Sequence, residues 1–252
     1  MQQNSHGRTK RNFVVTGASR GMGEHFARRI AADGDNVILV ARSAEKLEAI
    51  TNEILNEGGQ ASFVIADVSD AASISNAIAS IPYDIDVLVN NAGISQPSPA
   101  LQTSADDFKR VVETNLNGVF FTAQAVGQRM QHTGGGAIVN VASILGLRVS
   151  SGLSSYIASK SAVVQITKAL ALEWARYNIR VNALCPGYIE TPMNRDFLAS
   201  EAGAQLIRRI PQRRLGQMSD LDEPLRLLCS PGASYVTGAV LAVDGGHLVS
   251  GL

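Results

Sequence analysis

The chain is predicted to fold as one α/β domain, a doubly wound parallel sheet with helices on both faces. Three observations lead there. Short runs rich in Val, Ile and Leu alternate with longer segments of helical spacing. Those runs are almost continuously apolar, as in strands buried on both faces; a strand wetted on one side would alternate. The third observation is size. With 252 residues and 45% apolar content the chain can bury one large core, and no repeat, linker or low-complexity stretch divides it.

Taken in order, Asn12–Thr16 (NFVVT) is a strand that runs into glycines, and Gly23–Asp33 has helical spacing. Asn36–Ala41 (NVILVA) is the second strand and Ala44–Glu57 the second helix. Ala61–Ala66 leads to Asp67, and Ala71–Ile81 is a weaker helix. Ile85–Asn90 (IDVLVN) is the fourth strand, followed by one long helix from about Ala105 to Gln131. Ala137–Val141, a helix over Ser155–Tyr177, Ile179–Leu184 and a last strand at Val240–Val243 complete the series. Strand–helix–strand crossovers are right-handed, which favours the doubly wound arrangement. Met1 to Arg11 is polar, carries three basic residues and has no apolar core of a signal peptide, so a loose tail is expected for residues 1–11 and one domain for 12–252.

Composition excludes several functions. The formal charge is +0, so no basic field invites nucleic acid or an acidic membrane surface. No apolar run reaches membrane-spanning length. The two cysteines, Cys185 and Cys229, lie far apart without metal-ligand spacing, which fits a reducing, cytoplasmic setting and neither a metal site nor a disulfide framework. The four histidines, His6, His25, His132 and His247, are dispersed and suggest neither ligands nor a catalytic base.

After the first strand comes Thr16-Gly17-Ala18-Ser19-Arg20-Gly21-Met22-Gly23 and then a helix. A glycine turn at a helix N-terminus exposes backbone N–H groups and the positive dipole end to an anion. Its place in the alternation points to a nucleotide site, with Gly17, Ser19, Arg20, Gly21, Met22 and Gly23 around the phosphates. Sheets that bind NAD usually carry an acid at the end of the second strand for the ribose 2′-OH. Here that end reads Val40-Ala41-Arg42-Ser43. Arg42, with Arg20 in reach, suits a 2′-phosphate that a carboxylate would repel, so NADP(H) is preferred and NAD(H) remains possible. The plainer reading makes both arginines solvated surface charges.

Tyr156 and Lys160 are four residues apart and share a helix face. An ammonium about 4 Å from a phenol contributes roughly 4 kcal/mol at an effective dielectric of about 20. That predicts a phenol drawn from about 10 toward neutral pH. Taken alone, such a pair is an ordinary surface feature; its surroundings give it meaning.

The ordered motifs resemble the short-chain dehydrogenase/reductase family over nearly the whole chain beyond the tail. They are the Thr16–Gly23 turn, Asp67-Val68, Asn90-Asn91-Ala92-Gly93, Asn115, Ser143, Tyr156 with Lys160, and Pro186-Gly187 followed by Thr191. The resemblance implies a Rossmann-like, seven-stranded sheet of order 3-2-1-4-5-6-7. It implies a carbonyl or alcohol substrate and Tyr156 as general acid/base. Ser143 would hydrogen-bond the reacting oxygen, Lys160 would bind the nicotinamide ribose and lower the Tyr156 pKa, and Asn115 would hold a relay water. Asp67 and Val68 would flank the adenine, Asn90, Ala92 and Gly93 would line the cofactor, and Ile189 and Thr191, after Pro186 and Gly187, would meet the nicotinamide end. A homotetramer is implied as well. Met22 departs slightly from the family's usual Ile or Leu, and Arg226 and Cys229 stand where small or apolar residues are common; Arg226 is read as an exposed charge.

The same resemblance places specificity in Ile144-Leu145-Gly146 and in a lid over about residues 191–215. Leu145, Met193, Phe197, Leu198, Leu206 and Ile207 are its apolar candidates, and Gln96 and Tyr188 its polar ones. Arg208, Arg209, Arg213 and Arg214 read either as a site for an acyl-carrier phosphopantetheine or, preferably, as a solvated helix face. The stretch Leu172–Arg180 resembles members acting on sugar acids and polyols. A ketone reductase or secondary alcohol dehydrogenase is the leading expectation. A 3-oxoacyl-thioester reductase, a sugar or polyol dehydrogenase and a cofactor-binding sensor without turnover are the alternatives.

Overall fold

A computed structural model of the chain describes residues 10–190 and 200–250. Seven parallel strands form one sheet: β1 (Asn12–Thr16), β2 (Asn36–Ala41), β3 (Gln60–Ile65), β4 (Val87–Asn90), β5 (Gly136–Val141), β6 (Ile179–Pro186) and β7 (Val240–Val243). They lie in the order β3-β2-β1-β4-β5-β6-β7, as the family resemblance implied. The order reverses between β1 and β4, which opens a crevice at the carboxyl ends of those strands.

Strand side chains alternate between two cores. Phe13, Val15, Val37, Leu39 and Val89 join α1 (Gly21–Ala32) and α2 (Ala44–Asn56) on one face. Val14, Ile38, Val40, Leu88 and Ile138 join α3 (Ala71–Ser80) on the other. The central strands β1, β2, β4 and β5 are therefore buried on both faces, the origin of the continuous runs in the sequence.

The predicted helix over 105–131 is interrupted. α4 (Ala105–Val112) passes through a π-helical turn, Glu113–Asn117, into α5 (Gly118–Met130). Hydrophobic spacing runs through the turn unchanged and carries no sign of it. The segment 85–86 precedes the fourth strand, which begins at Val87. α6 (Ser154–Trp174) buries a stripe of Ser155, Ser159, Lys160, Val163, Thr167 and Leu170. The C-terminal part adds α7 (Glu201–Arg209), capped by the Ser200 hydroxyl, and α8 (Asp222–Cys229), whose Leu225 and Leu228 close the first core.

Candidate active site

Thr16 ends β1, and its Oγ1 accepts the backbone N–H groups of Asn91 and Ala92, each at 3.0 Å. Asn91 Nδ2 donates to the Thr16 carbonyl at 3.0 Å, so the end of β4 is clasped to the glycine turn. Gly17 stands at φ +66°, and a Cβ there would lie 2.9 Å from Ala92 Cα; neither backbone nor space admits a side chain. A Cβ on Gly23 would fall 2.3 Å from the Gly17 carbonyl oxygen, so only glycine lets α1 come this close. Arg20 precedes α1 in extended conformation, and its side chain makes no capping hydrogen bond. The first N–H groups of a twelve-residue helix thus face the turn without a side-chain acceptor. Ser19 and Gly21 lie on this turn, whereas the Met22 side chain packs into the core.

Arg42 follows β2 with its side chain 75% exposed, 3.5 Å from the Asp67 carboxylate. Asp67 Oδ1 also accepts the Ser69 N–H at 3.0 Å and its hydroxyl at 2.7 Å. Burial pushes the Asp67 carboxyl up, but Ser69 and Arg42 outweigh it and hold it below its ordinary value. Val68 is buried against Gly118, at the head of α5. Asn90, expected along the cofactor, ends β4. Its side-chain amide is buried, donating to the Val119 carbonyl at 2.8 Å and to Asn140 Oδ1 at 3.3 Å, and it shapes the site from behind.

Ser143 ends β5, and its Oγ accepts the Leu145 N–H at 3.1 Å, capping the short turn Ile144–Gly146. Leu145 itself is buried. Tyr156 lies half-buried in the first turn of α6, with Lys160 one turn on and 4% exposed. Lys160 Nζ donates to the Val141 carbonyl at 2.8 Å and stands 5.8 Å from the Tyr156 ring centroid. The ammonium is thus anchored on β5, and this corrects the predicted depression of the phenol. Burial raises the Tyr156 pKa; a hydrogen bond with the Ser143 side chain pulls the other way, and Cys185 and Tyr188 add to the rise. Burial also lowers Lys160 to about 8.

Asn115 sits in the π-turn, fully buried. Its Oδ1 accepts the Ile94 N–H at 2.8 Å, and its Nδ2 donates to the Ile94 carbonyl at 2.8 Å and to Ser159 Oγ at 3.1 Å. Ser159 Oγ donates in turn to the Tyr156 carbonyl at 2.7 Å. The side chain therefore ties the loop after β4 to α6. A Cβ on Gly93 would lie 3.3 Å from Asn115 Oδ1 and 3.4 Å from Lys160 Nζ, so loop, π-turn and α6 converge at one point.

Pro186 ends β6, and Gly187 packs against Asp244. Ile189 is buried and bridges to Gly216. Tyr188 lines a pocket of about 320 Å³ with Ile210, Gln212, Arg214 and Gly245. Gln96 is exposed, 3.4 Å from Arg110. Thr191, Met193, Phe197 and Leu198 lie outside the described residues. Thr16, Ser159 and Cys185 were not singled out as site residues from sequence. Thr16 directly precedes the glycine turn and Ser159 lies one turn after Tyr156, so both were within reach. Cys185, its thiol pushed up to about 11 by burial, is brought to Ser143 and Lys160 only by the fold.

The arrangement fits a dinucleotide: an uncapped helix start with close-approach glycines for a pyrophosphate, and a buried ammonium beside Gly93 for hydroxyls. A family profile described as enoyl-(acyl carrier protein) reductase matches residues 17–247. The chain is 39% identical to the gluconate 5-dehydrogenase of Gluconobacter oxydans (strain 621H), over 94% of each. It is 37% identical to a 3-oxoacyl-[acyl-carrier-protein] reductase of Staphylococcus aureus, over 94% of this chain and 97% of that one. The crystal structure of a gluconate 5-dehydrogenase from Burkholderia cenocepacia J2315 in complex with NADP and tartrate superposes with a TM-score of 0.93 at 35% identity, covering 97% and 98% of the two chains. The chain is an NAD(P)-dependent oxidoreductase of CH–OH groups and belongs to the short-chain dehydrogenase/reductase family.

Proposed function

We propose that the protein interconverts a small ketone and a secondary alcohol, with NADP(H) preferred, NAD(H) accepted and Tyr156 as general acid/base. The carrying observation is that Ser143, at the end of β5, and Tyr156, in the first turn of α6, come close enough to act on one another beside a buried Lys160 that is held on the Val141 carbonyl. When bound, the nicotinamide supplies or accepts the hydride at the substrate carbon. Ser143 and Tyr156 hydrogen-bond the reacting oxygen and fix it. Tyr156 Oη gives its proton to that oxygen in reduction and takes it back in oxidation. Burial keeps the phenol protonated, the state that reduction requires. Lys160 and Gly93 hold the ribose, and Asn115 keeps loop and helix in register.

Arg42 and Arg20 support the NADP(H) preference: both are exposed, and Arg42 pairs only loosely with Asp67. The sugar-acid and polyol reading is supported by the names of the relatives. The 3-oxoacyl-thioester reading is weaker at its arginines, because Arg214 donates to Asp220 and Arg213 to the Arg208 carbonyl. Arg208 and Arg209 end α7, where they complement its dipole. A sensor without turnover would have no use for Ser143, Tyr156 and Lys160 together. We further infer a substrate lid over about 191–215, a homotetramer, and a cytoplasmic location that suits two free, buried cysteines. No described helix is long and apolar enough to cross a membrane.

Initial rates with NADPH and NADH over ketones, 3-oxo esters and oxoacyl thioesters test this reading. NADPH is expected to be favoured, and Arg42→Ala to reduce that preference about tenfold, the loss of one charged contact. Tyr156→Phe is expected to lose at least about 10²-fold in kcat while still binding cofactor. Undiminished turnover in Tyr156→Phe would remove the mechanism; preference for NADH would remove the cofactor assignment.

A further inference from the structure

Three segments distant in sequence, with no part in the steps above, meet around Tyr188, which is itself near enough to Tyr156 to act on its pKa. Arg148 follows the turn that begins at Ser143, and its N–H bonds the Ile144 carbonyl at 2.9 Å. Its Nη1 donates to the backbone carbonyl of His247, 99 residues away. The His247 ring lies against Tyr188, with centroids 5.6 Å apart, and Tyr188 lines the pocket of about 320 Å³. Contacts therefore run from the Tyr156 side through Tyr188 and His247 to Arg148.

Two features of this cluster call for a ligand. His247 is 5% exposed, yet its Nδ1 has no hydrogen-bond partner among the described residues. Buried polar atoms are rarely left so without a function. Arg148, for its part, forms no ion pair among the described residues. The carboxylate closest in this network, Asp244, already accepts the Gly246 N–H at 2.9 Å and the Leu248 N–H at 2.6 Å. Burial lowers the His247 pKa, with the positive charges of Arg148 and Arg209 adding to the effect against Asp244, so the ring is neutral and can offer one N–H. The region holds donors and positive charge in excess.

We propose that Arg148, with His247 Nδ1 and the Tyr188 hydroxyl, forms a subsite for a substrate carboxylate, so that the preferred substrates are oxo or hydroxy acids whose carboxylate lies several carbons from the reacting centre. The planar guanidinium, with Nη1 fixed on His247, presents its remaining N–H groups to a carboxylate. With Tyr188 next to Tyr156 and His247 between Tyr188 and Arg148, the chain of contacts sets the separation between carboxylate and carbonyl. The assignment rests on Tyr156 as the acid/base of the same site.

The test compares full-length enzyme with its cofactor on a chain-length series of oxo acids, each beside its primary amide. Wild type is expected to favour the acid at one length by at least about tenfold in kcat/KM, mainly through KM, the size of a charged hydrogen bond. Arg148→Met is expected to bring that acid-to-amide ratio to about one, and Arg148→Lys to keep part of it. A wild-type ratio near one at every length overturns the subsite, as does a ratio that survives in Arg148→Met. Because the wild-type ratio decides by itself, a variant that fails to fold does not shield the idea. Loss of the subsite alone leaves amides and neutral ketones reacting, whereas no turnover of any carbonyl would bring down the Tyr156 reading as well.

Discussion

Lys160 is a charge held where the fold gives it little solvation. Its pKa of about 8 lies below the ordinary 10.5 because burial disfavours the ammonium. At about 1.36 kcal/mol per unit, keeping it charged at pH 7 costs the cofactor-free fold about 3 kcal/mol. The sign follows from proton counts. Below pH 8 both folded and unfolded chains are protonated and the cost is paid in full. Between 8 and 10.5 the unfolded chain binds more protons, so stability rises with pH. Lys160→Met is therefore expected to be more stable than wild type by about 1–3 kcal/mol at pH 7, after the lost Val141 hydrogen bond is counted. The advantage should fade by about pH 10 as the wild type stops paying the cost. Urea denaturation of both proteins across this range checks it, and turnover of the variant should fall at least about 10²-fold. A lysine variant no more stable than wild type at pH 7 would mean that water reaches Nζ. The spacing of Tyr156 and Lys160 was legible in the sequence. The direction of the phenol's pKa was not, because spacing does not tell that Nζ turns to the Val141 carbonyl.

At the scale of elements, the π-turn Glu113–Asn117 does what an unbroken helix would not: it offers Asn115 to the Ile94 backbone. π-turns concentrate at functional sites for this reason. The periodicity of 105–131 could not reveal it, since Val111, Val119 and Val126 remain on the buried face either side. The strands, by contrast, were legible almost to the residue, because burial on both faces writes itself as an uninterrupted apolar run. Asn115→Ala removes both partners of Ile94 and the link to Ser159. The expected cost is about 1–3 kcal/mol, two half-buried backbone groups losing their partners along with the buried link to Ser159. Thermal and urea unfolding measure it. A loss below about 0.5 kcal/mol would show that the loop after β4 is held by Thr16 alone.

Across the whole molecule, the alternation made the parallel sheet legible, its strand order came only with the family resemblance, and closure over large sequence distance was not legible. The Arg148–His247 contact joins residues that no period or motif connects, and Arg180 reaches the carbonyls of Leu228 at 2.9 Å and Ser230 at 3.1 Å to fasten the end of α8. Such bonds follow from the folded path, and an isolated arginine in the sequence reads only as charge. Association is the next level. Leu172 is 82% exposed on α6, and on the same helix Ala158 and Ala169 are exposed too. One exposed leucine is ordinary on a monomer, but Ala169, one turn before it, leaves room for a second helix there, and the chain's zero net charge offers no net repulsion. A homotetramer built partly on α6 makes opposite demands on one position. Leu172→Glu should change the stability of the isolated fold by less than about 0.5 kcal/mol, because the side chain has little to lose there. In the assembly the same carboxylate would be desolvated between helices, a cost of several kcal/mol per copy that pairing with Lys168 offsets only in part. Light scattering on a sizing column should then find four chains in wild type and fewer in Leu172→Glu, with circular dichroism unchanged. A wild type that elutes as one chain removes the tetramer; a tetramer that survives the substitution removes α6 from its interface.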